Sequence, residues 1–375
     1  MNRANAICFV SEPSDGGVKR YIINAIVDLC SMGGYRITYL YSMRRHDQKF
    51  PSELEFLVSI GVECIHVDIS PEVDLALDLR SAWFLLSFFK CREFDVIHAH
   101  SSKAGFLVRL VGVLLNLKTP ILYSPHGIAI DRSWLYKILE DLASFWATAF
   151  VAVSMSERRR LRAIFPWKTI LLTPLYPILK LDRARYFRLP RRPYFNVVTC
   201  GRVSKVKNPR IFFELALFFK KKYNDIKFTW IGDYGKDSVA LACKCINDLE
   251  EHVKVTGWVG EPMSYVRDAD IFCMFSEGES FCYAAADAIA LGVPVLLTDV
   301  MGLCDLSCGD PRVIWDQSDA LPIQIVDDLY KLWLKSDALL WNDLNLDVFL
   351  SKSRSVQAHD AIYCSLISSR KSSVL

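Results

Sequence analysis

Residues Ala269–Asp299 of this chain read ADIFCMFSEGESFCYAAADAIALGVPVLLTD. They open on the apolar run Ile271–Phe275, which is long enough for a buried strand. A loop of Ser, Glu and Gly follows, and then the alanine-rich stretch Phe281–Leu291, in which every residue tolerates a helix. A Gly and a Pro end that helix, and Val293–Thr298 is predicted to be the next strand. The stretch therefore predicts a strand–loop–helix–strand unit of a parallel sheet, in which ligands bind at strand ends and helix N-termini.

Two carboxylates stand in this stretch, Glu279 in the loop and Asp287 eight residues further on. Counted along a helix, eight residues rise about 12 Å and turn about 80° beyond two full turns. The pair is thus expected on neighbouring faces, far enough apart to contact the two ends of one extended ligand. Backbone amides near Ser280, Phe281 and Cys282 are expected to face a phosphate between them. The alternative is that Glu279 is only a first-turn acid and Asp287 a solvated helix residue.

Strands and helices alternate along the first half of the 375-residue chain, which is long enough for two domains. Predicted helices lie between several strands, notably Lys103–Leu117 and Ser133–Trp146, and this alternation predicts a doubly wound parallel sheet. The strands predicted in this half are Ala4–Val10, Arg36–Tyr41, Val62–Val67, Asp95–His98, Ile121–Tyr123 and Phe150–Ser154.

A stretch with four prolines and a run of arginines, Pro174–Pro193, interrupts this pattern and is typical of a linker. A second alternation follows, and Ser355–Leu366 predicts a terminal helix with Ile362, Tyr363 and Leu366 on one apolar face. We therefore divide the chain into a first domain (1–178), a linker (179–193), a second domain (194–350) and a terminal helix and tail (351–375). The strands predicted in the second domain are Asn196–Cys200, Lys227–Ile231, Val253–Thr256, Ile271–Phe275, Val293–Thr298 and Val313–Trp315.

Composition and charge exclude several classes of protein. The net charge of +3 is near neutral, which argues against a nucleic-acid partner. Twelve cysteines are scattered without metal-ligand spacing and are expected to be reduced core residues of a cytoplasmic protein. The N-terminus lacks the apolar region of a signal peptide. The longest apolar stretch, near Gly105–Leu117, is too short to cross a bilayer and contains Arg109.

Polar residues and glycines follow several strands of the first half, where the active site of this type of sheet lies. Gly16 and Gly17 stand where the first strand turns into a helix, so that backbone can approach a ligand closely, although an ordinary turn is the alternative. There is no G-x-G-x-x-G, so a dinucleotide site is not indicated. Among the histidines we favour a site role for His126. His98 and His100 have a spacing that suits a metal, but no third ligand is evident.

In the second half, Arg202 and Lys207 follow a predicted strand that ends at Gly201. An Arg fork and a mobile Lys just beyond a strand end suit a diphosphate, and a solvated basic loop is the alternative. Two glycine-bearing loops stand at further strand ends. One contains Gly232, and the other contains Trp258 and Val259. Both are candidates for backbone contacts to a base and a phosphate, although plain turns have the same composition.

Taken together, these segments resemble the retaining, nucleotide-sugar-dependent glycosyltransferases of family 4, which have the GT-B architecture. In that family two Rossmann-like domains face each other across a cleft, and a C-terminal helix crosses back to the first domain. The bacterial members that this chain is most similar to build capsule, O-antigen or exopolysaccharide. The resemblance rests on the Gly-Gly loop, HAHSSKAGFLVRL (His98–Leu110), YSPHG (Tyr123–Gly127), VAVS (Val151–Ser154), GRVSKVKN (Gly201–Asn208) and the stretch Ala269–Asp299.

The resemblance implies roles for residues of the second domain. Arg202 and Lys207 match the pair that holds the donor diphosphate and stabilises the leaving nucleotide. Glu279 matches the first acid of the family's paired-glutamate motif, which contacts the donor sugar. Asp287 stands where the second glutamate of that motif binds ribose hydroxyls, and it is one methylene shorter. No metal and no other cofactor is expected, because Arg202, Lys207 and the amides after Glu279 supply the positive charge. The one Asp-x-Asp, Asp268–Asp270, precedes a strand and should lie at the other end of the sheet.

In the first domain, the resemblance places Gly16 and Gly17 near the phosphate and the acceptor, and His126 beside the donor sugar. The chain departs from the family at two places. Pro174–Pro177 replaces an Asn-Gly turn, and Met301-Gly302 replaces two glycines.

The implied reaction moves a sugar from a nucleoside diphosphate to a glycan acceptor with retention at the anomeric carbon. The acceptor is expected to be lipid-linked, at the cytoplasmic face of a membrane. Ser81–Lys90 and Ser156–Lys168 mix aromatic and basic residues as interfacial segments do, although core helices with solvated arginines are the alternative. Two other functions stay open: a nucleotide-sugar epimerase of the same architecture, and a non-catalytic homologue that acts as a binding subunit.

Overall fold

The computed structural model describes residues 4–127, 134–173, 175, 193–234, 253–306, 314–315, 322–335 and 352–372. The chain divides into two units, Met1–Leu175 with Ser351–Leu375, and Tyr176–Leu350. Of the predicted linker 179–193, only Pro193 lies within the described residues.

Parallel strands form the core of the first unit. Every side chain of the fourth, fifth and sixth strands is buried, as expected for strands covered on both faces. The seventh strand has only three residues and was not predicted. The strands are β1 (Asn5–Ser11), β2 (Tyr35–Tyr41), β3 (Glu63–His66), β4 (Val96–His100), β5 (Ile121–Ser124), β6 (Ala149–Ala152) and β7 (Ile170–Leu172), in the order β3-β2-β1-β4-β5-β6-β7.

Helices connect these strands, and α3, α4 and α5 lie side by side because α4 contacts both of its neighbours. Two N-termini are capped by side chains, since Asp74 accepts a hydrogen bond from the Leu77 amide and Ser154 accepts one from the Glu157 amide. The helices are α1 (Gly16–Met32), α2 (Phe50–Ser59), α3 (Leu75–Cys91), α4 (Ser102–Leu114), α5 (Trp134–Ser144) and α6 (Met155–Ile164).

The second unit repeats this pattern around a second parallel sheet. Its strands are β8 (Phe195–Cys200), β9 (Ile226–Ile231), β10 (Val253–Val255), β11 (Ile271–Met274), β12 (Val295–Thr298) and β13 (Ile314–Trp315), in the order β10-β9-β8-β11-β12-β13. Its helices are α7 (Pro209–Lys222), α8 (Pro262–Arg267), α9 (Tyr283–Ala290) and α10 (Ile323–Lys335). Successive strand residues pack into different cores, Val197 on one face and Val198 on the other, as the period of two requires. Both units are therefore doubly wound, as predicted.

The last helix, α11 (Lys352–Ser372), belongs to the first unit, as the sequence predicted. It packs against α1 and β4. Its buried face consists of His359, Tyr363 and Ile367, whereas Ile362 and Leu366 of the predicted face are only half-buried. The helix docks through polar contacts as well as apolar ones, which a search for apolar spacing does not detect.

Each sheet reverses its strand order at one point, between β1 and β4 in the first unit and between β8 and β11 in the second. Ligands of open α/β sheets bind outside the carboxyl ends of the strands at such points. Gly16 and Gly17 follow β1, and Arg202, Lys207 and Glu279 follow β8 and β11, so these candidate residues lie at the two crossovers. His126, Gly232 and Trp258 follow the neighbouring strands β5, β9 and β10.

Candidate functional site

The loop that carries Glu279 is longer than predicted, because α9 begins at Tyr283 rather than Phe281. Glu279 therefore precedes the helix, and the helical separation expected between Glu279 and Asp287 is wrong. Packing holds the loop in place. The Glu279 amide donates to the Met301 carbonyl over 3.0 Å, and a Cβ on Gly302 would lie 2.3 Å from the Glu279 oxygen. Only a glycine fits there.

Lys207 and Glu279, which are 72 residues apart in sequence, form an ion pair at the β8/β11 crossover. Lys207 ends a short 3-10 turn that follows β8, and Glu279 lies in the loop that follows β11. Ser276 donates its hydroxyl to the same Glu279 oxygen, Oε1, over 2.7 Å. The Glu277 amide donates to the Val206 carbonyl over 2.8 Å, so backbone also joins the two loops. The structure thus brings together two of the predicted site residues.

The charge of Lys207 is maintained by its neighbours. Burial acts to lower the pKa of Lys207, but the negative charge of Glu279, with smaller effects of Cys282 and Cys200, outweighs burial and raises that pKa. Lys207 is therefore a cation throughout the physiological pH range. A partly buried cation at a strand end is suited to binding the phosphates of a ligand.

Gly232 contacts the loop that leads to Lys207. A Cβ on Gly232 would lie 2.1 Å from the Gly201 carbonyl oxygen, so no side chain fits at this position. The indole of Trp230 donates to that same oxygen over 2.7 Å. These contacts fix the path of the chain towards Arg202, which is exposed. The predicted ligand contact of Gly232 remains a prediction, and its packing against Gly201 is sufficient reason for the glycine.

The other predicted donor-binding residues lie around the start of α9 and on the β10 loop. Trp258 is exposed and Val259 packs against the core cluster beneath α9. The rings of Phe281 and Tyr283 pack edge to face, and Ser280 precedes both residues in the chain. Cys282 precedes the first residue of α9 and is buried. Its burial, partly offset by Lys207, raises the pKa of its thiol to about 11, so the sulfur is a neutral thiol.

Asp287 is 1% exposed, so the alternative that it is a solvated helix residue is wrong. It lies at the fifth position of α9 among buried alanines, within the same helix whose N-terminus follows the Glu279 loop. A carboxylate is rarely buried this far without a polar partner. Its ribose contact remains a prediction.

The first unit contains a cluster of histidines and tyrosines, in which His126 is half-buried and His98, His100, Tyr21 and Tyr363 are buried. His126, at a φ of 53°, lies 3.0 Å from His100 between ring nitrogens, and its ring lies against that of Tyr21. His98 contacts the hydroxyl of Ser124 at 2.9 Å and that of Tyr363, on α11, at 2.7 Å.

Burial keeps these imidazoles neutral. It lowers the pKa values of His98 and His100 far below the usual range, with smaller effects from neighbouring histidines, and it lowers the pKa of His126 to about 3. Within the described residues, no group of three or more His, Cys, Asp or Glu side chains is arranged to hold a metal ion. His98 contacts Ser124 and Tyr363, and His100 contacts His126, so the three imidazoles are held by neighbouring side chains.

Glu157 is a positioning residue that the sequence analysis missed. Its buried carboxylate accepts hydrogen bonds from the Gly127 amide (3.2 Å) and from the Val153 amide (2.8 Å). It therefore ties the loop of His126 to the end of β6. The signal was visible, because Ser154-x-x-Glu157 has the spacing of a capping box.

Three further features predicted from the sequence are the Gly16–Gly17 pair, the Asp268–Asp270 segment and the cysteines. Helix α1 begins at Gly16, with Gly17 in its first turn. Asp268 and Asp270 lie at the amino end of the second sheet, as predicted, where the Asp270 carboxylate accepts from the Asn196 amide over 2.7 Å. The nine cysteines described are all free thiols.

Two parallel α/β units with polar side chains at both crossovers define a protein of the GT-B class, and comparisons with known proteins identify its family. A sequence profile described as "Glycosyltransferase Family 4" matches residues 15–174, and one described as "Glycosyl transferases group 1" matches residues 194–332. This chain belongs to the family 4 glycosyltransferases.

Curated relatives include a capsular polysaccharide glycosyltransferase and a galactosyltransferase that acts on a diphosphoundecaprenol-linked sugar. The chain is 25% identical over 228 residues to the capsular polysaccharide biosynthesis glycosyltransferase CapH of Staphylococcus aureus, covering 56% of this chain and 62% of that one. It is 24% identical over 250 residues to an Escherichia coli UDP-Gal:alpha-D-GlcNAc-diphosphoundecaprenol alpha-1,3-galactosyltransferase, covering 61% and 64%. The matched region thus spans less than two thirds of the length of each of these relatives.

Solved structures share the fold over nearly the whole chain. A glycosyltransferase from Rickettsia africae matches with a TM-score of 0.70 at 13% identity, covering 98% of this chain and 99% of that one. HepE of Anabaena, in complex with UDP and glucose, matches with a TM-score of 0.67 at 15% identity, covering 98% and 97%. Among the described helices, none has the length and apolar character needed to cross a membrane.

Proposed function

We propose that this chain transfers a sugar from a nucleoside diphosphate to a glycan acceptor, with retention at the anomeric carbon, in the synthesis of a cell-surface polysaccharide. The observation that carries the proposal is the Lys207–Glu279 pair at the β8/β11 crossover. The family and the polysaccharide-synthesis relatives support the same reaction.

The pair explains how the departing diphosphate is stabilised. Negative charge develops on that group as the bond to the sugar breaks, and fixed cations and amides around it lower the barrier. In this proposal Lys207 and Arg202 supply positive charge, and the free amides at the start of α9 add to it. The Oε1 atom of Glu279 accepts hydrogen bonds from Lys207 and Ser276. Its Oε2 is therefore the oxygen expected to accept a hydrogen bond from a hydroxyl of the donor sugar. In this proposal Asp287 binds the ribose hydroxyls.

His126 serves this reaction as a neutral imidazole beside the donor sugar. Its pKa of about 3 excludes a role as a cation at neutral pH. Its hydrogen bond to His100 and the Glu157 contact to the next residue hold the ring in one orientation. A neutral imidazole in a fixed position binds a sugar hydroxyl without the cost of burying a charge.

The acceptor in this proposal is lipid-linked, and the chain docks on an anionic membrane surface. Helices α3 to α5 expose aromatic and aliphatic side chains on one layer of the first unit. Arg159 and Arg162 are exposed on α6 next to it, and Trp167 links the two because its indole donates to Ser144 over 3.1 Å. Tryptophans and arginines together suit the interface of a bilayer with anionic lipids. We call this the exposed apolar layer: Leu75, Leu79, Trp83, Val113, Leu114, Trp134, Ile138, Leu142, Phe145 and Trp167.

The first test is a panel of nucleotide sugars assayed for nucleotide release and for transfer, with Lys207→Ala as the diagnostic variant. We expect Lys207→Ala to lose at least about 100-fold in turnover, because a donor to the developing charge is removed. Lys205→Ala is the matched control, since Lys205 is exposed in the same turn. Full activity of Lys207→Ala with a native circular dichroism spectrum would overturn the proposal. Release of a free isomerised sugar without acceptor would indicate an epimerase, and no turnover of any donor a binding subunit.

A further inference from the structure

Two hydroxyl groups connect a strand end of the second unit to the carboxylate of Glu279. Thr298 donates its hydroxyl to the Ser276 carbonyl over 2.7 Å. Ser276 in turn donates its own hydroxyl to Oε1 of Glu279 over 2.7 Å. Both Thr298 and Ser276 are fully buried, at 0% exposure. A chain of hydrogen bonds therefore runs from the sheet to the carboxylate that pairs with Lys207.

The sheet explains why these two hydroxyls meet. Strands β11 and β12 are parallel neighbours, with Met274 in register with Leu297. Thr298 is the last residue of β12, and Ser276 lies just beyond the end of β11. Both are therefore at the carboxyl edge of the sheet. A threonine has few allowed rotamers about its first side-chain torsion, so the direction of the Thr298 hydroxyl is well defined.

The ion pair alone does not determine which oxygen of Glu279 faces a ligand. The last torsion of a glutamate side chain is broad and roughly two-fold, so its two oxygens can exchange places. The ammonium of Lys207 is a compact charge on a flexible stem, which can bind either oxygen. The hydroxyl of Ser276 belongs to a short, buried side chain, and it binds Oε1. Ser276 thus selects one orientation of the carboxylate.

We infer that Ser276 and Thr298 are positioning residues that set the selectivity of this site among donor sugars. The inference rests on the proposed transferase function, in which Oε2 of Glu279 accepts a hydroxyl of the donor sugar. An acceptor oxygen in one fixed position favours a hydroxyl of matching configuration, and an epimer leaves that oxygen without its partner. Without the Ser276 hydroxyl, the carboxylate can turn to follow the ligand, and the difference between epimeric donors becomes smaller.

The loop itself has other anchors, so removing the Ser276 hydroxyl should leave its path unchanged. The Glu277 amide donates to the Val206 carbonyl over 2.8 Å, and the Glu279 amide donates to the Met301 carbonyl over 3.0 Å. Neither bond involves the side chain of Ser276. Ser276→Ala therefore acts on the orientation of the carboxylate and keeps its negative charge.

The test compares kcat/KM for the donor identified by the panel of nucleotide sugars with kcat/KM for its epimers, such as UDP-glucose with UDP-galactose. In Ser276→Ala we expect kcat/KM for the preferred donor to fall about tenfold, the effect of one hydrogen bond to a charged group, and the ratio between the epimers to fall with it. Binding of the free nucleoside diphosphate, measured by calorimetry, should stay unchanged because that ligand has no sugar. Ser264→Ala is the matched control, since Ser264 is exposed on α8 and its hydroxyl donates to the Glu261 carbonyl.

Variants of Thr298 test whether it acts through Ser276. Thr298→Val removes the hydroxyl and should lower the epimer ratio, whereas Thr298→Ser keeps the hydroxyl and should retain the ratio of the unchanged protein. The double variant Ser276→Ala/Thr298→Val should have the same epimer ratio as Ser276→Ala alone, because residues that act in one chain of contacts have non-additive effects.

Three results would overturn the inference while the proposed function stands. They are an epimer ratio that is unchanged in Ser276→Ala, a loss in that variant of binding to the free nucleoside diphosphate, and additive effects in the double variant. The second result would show that the hydroxyl holds the loop rather than the orientation of the carboxylate. No turnover of any donor by the unchanged protein would instead overturn the proposed function and this inference with it.

Discussion

At the scale of single residues, the chemistry of the donor site depends on the ion pair between Lys207 and Glu279. Glu279 is the main reason that the pKa of Lys207 is raised, while burial alone would lower it. Glu279 thus stabilises the charged form of Lys207, and a mutation at Glu279 also acts on the protonation of Lys207. This coupling makes the pH dependence of activity a more specific probe than the loss of activity alone.

We predict that Glu279→Gln brings an alkaline limb of the kcat/KM profile into the measured range, whereas the raised pKa of Lys207 keeps that limb above the range in the unchanged protein. With the carboxylate removed, burial dominates, so the pKa of Lys207 falls and its proton is lost earlier as the pH rises. The measurement is kcat/KM for the nucleotide sugar between pH 6 and pH 10. Glu277→Gln, an exposed neighbour in the same loop, should leave the profile unchanged. A profile of Glu279→Gln that lacks this limb would contradict the prediction that Glu279 keeps Lys207 protonated.

The sequence predicted which residues matter better than it predicted how they are arranged. Strand ends and glycine loops predicted the Lys207 and Glu279 positions, because parallel strands bring their carboxyl ends to one edge. The start of α9 was wrong by two residues, since the Glu279 loop is set by its bond to Met301 and its contact with Gly302. Such contacts join residues distant in sequence, and local helix propensity contains no information about them.

At the scale of elements, α11 is held on the first unit by buried hydrogen bonds. Tyr363 contacts His98 at 2.7 Å, and His359 contacts the hydroxyl of Tyr21 at 2.9 Å. Tyr35 donates to the Asp360 carboxylate over 2.5 Å. The predicted terminal helix was confirmed, but its buried face is centred on His359, Tyr363 and Ile367. Pairing between polar groups cannot be deduced from the spacing of apolar residues.

We predict that Tyr363→Phe lowers the free energy of unfolding by about 1–3 kcal/mol. The ring and its packing are kept, and only the hydroxyl is lost, which leaves a nitrogen of the buried His98 without its partner. Urea unfolding followed by circular dichroism measures the change. Ser365→Ala, on the exposed side of the same helix, should change stability by no more than about 0.5 kcal/mol. Equal stability of the two variants would mean that the hydroxyl contact is not formed.

The histidine cluster makes stability depend on pH. The folded pKa values of His98, His100 and His126 lie below the unfolded value of about 6.5, so between these values the unfolded chain binds more protons. The contribution of each histidine is therefore complete above pH 6.5 and falls by about 1.4 kcal/mol per pH unit below it.

We accordingly predict a steep loss of unfolding free energy as the pH falls from about 6.5 to about 5, measured by urea unfolding at fixed ionic strength. In His126→Gln the loss of unfolding free energy per pH unit should be smaller by the amount that one histidine contributes. His66→Gln is the control, because His66 is exposed at the end of β3. Stability that is constant across this range would contradict the neutral, buried state of the cluster.

At the scale of the whole molecule, the same architecture occurs twice, and each copy places its polar residues at the point where the strand order reverses. The first unit concentrates neutral imidazoles there, and the second concentrates a cation and its counter-ion. The alternation of strands and helices was enough to predict both sheets. It did not predict β7, because three apolar residues between polar ones are too short to distinguish from a loop.

The exposed apolar layer is a feature of the surface of the first unit. Ser81–Lys90 and Ser156–Lys168 were each compatible with a core helix or an interfacial segment, and each contains both buried and exposed residues in the structure. Leu85 and Leu161 are buried, whereas Trp83 and Trp167 are exposed. Trp83 continues a stripe with Leu75 and Leu79 at helical spacing on α3. Apolar surface of this extent on one layer of a unit indicates an interaction site.

We predict that the unchanged protein sediments with vesicles containing anionic lipid and that the double variant Arg159→Gln/Arg162→Gln binds about 30-fold more weakly. Each arginine near an anionic surface contributes about 1 kcal/mol, and two such losses give this factor. Binding should also weaken with added salt, because screening acts on these exposed charges. Replacing Trp83 and Trp134 by serine should weaken binding to neutral vesicles as well, since those side chains contribute through burial rather than charge.

The matched control is Lys221→Gln/Lys254→Gln, which removes two exposed cations from the second unit and should leave vesicle binding unchanged. Equal sedimentation of the arginine variant and this control would contradict membrane docking through α6. A concentration-dependent dimer in analytical ultracentrifugation, lost in the tryptophan variant, would instead assign the exposed apolar layer to a second copy of the chain. The two results are distinguishable because only the membrane interaction requires Arg159 and Arg162 together with anionic lipid.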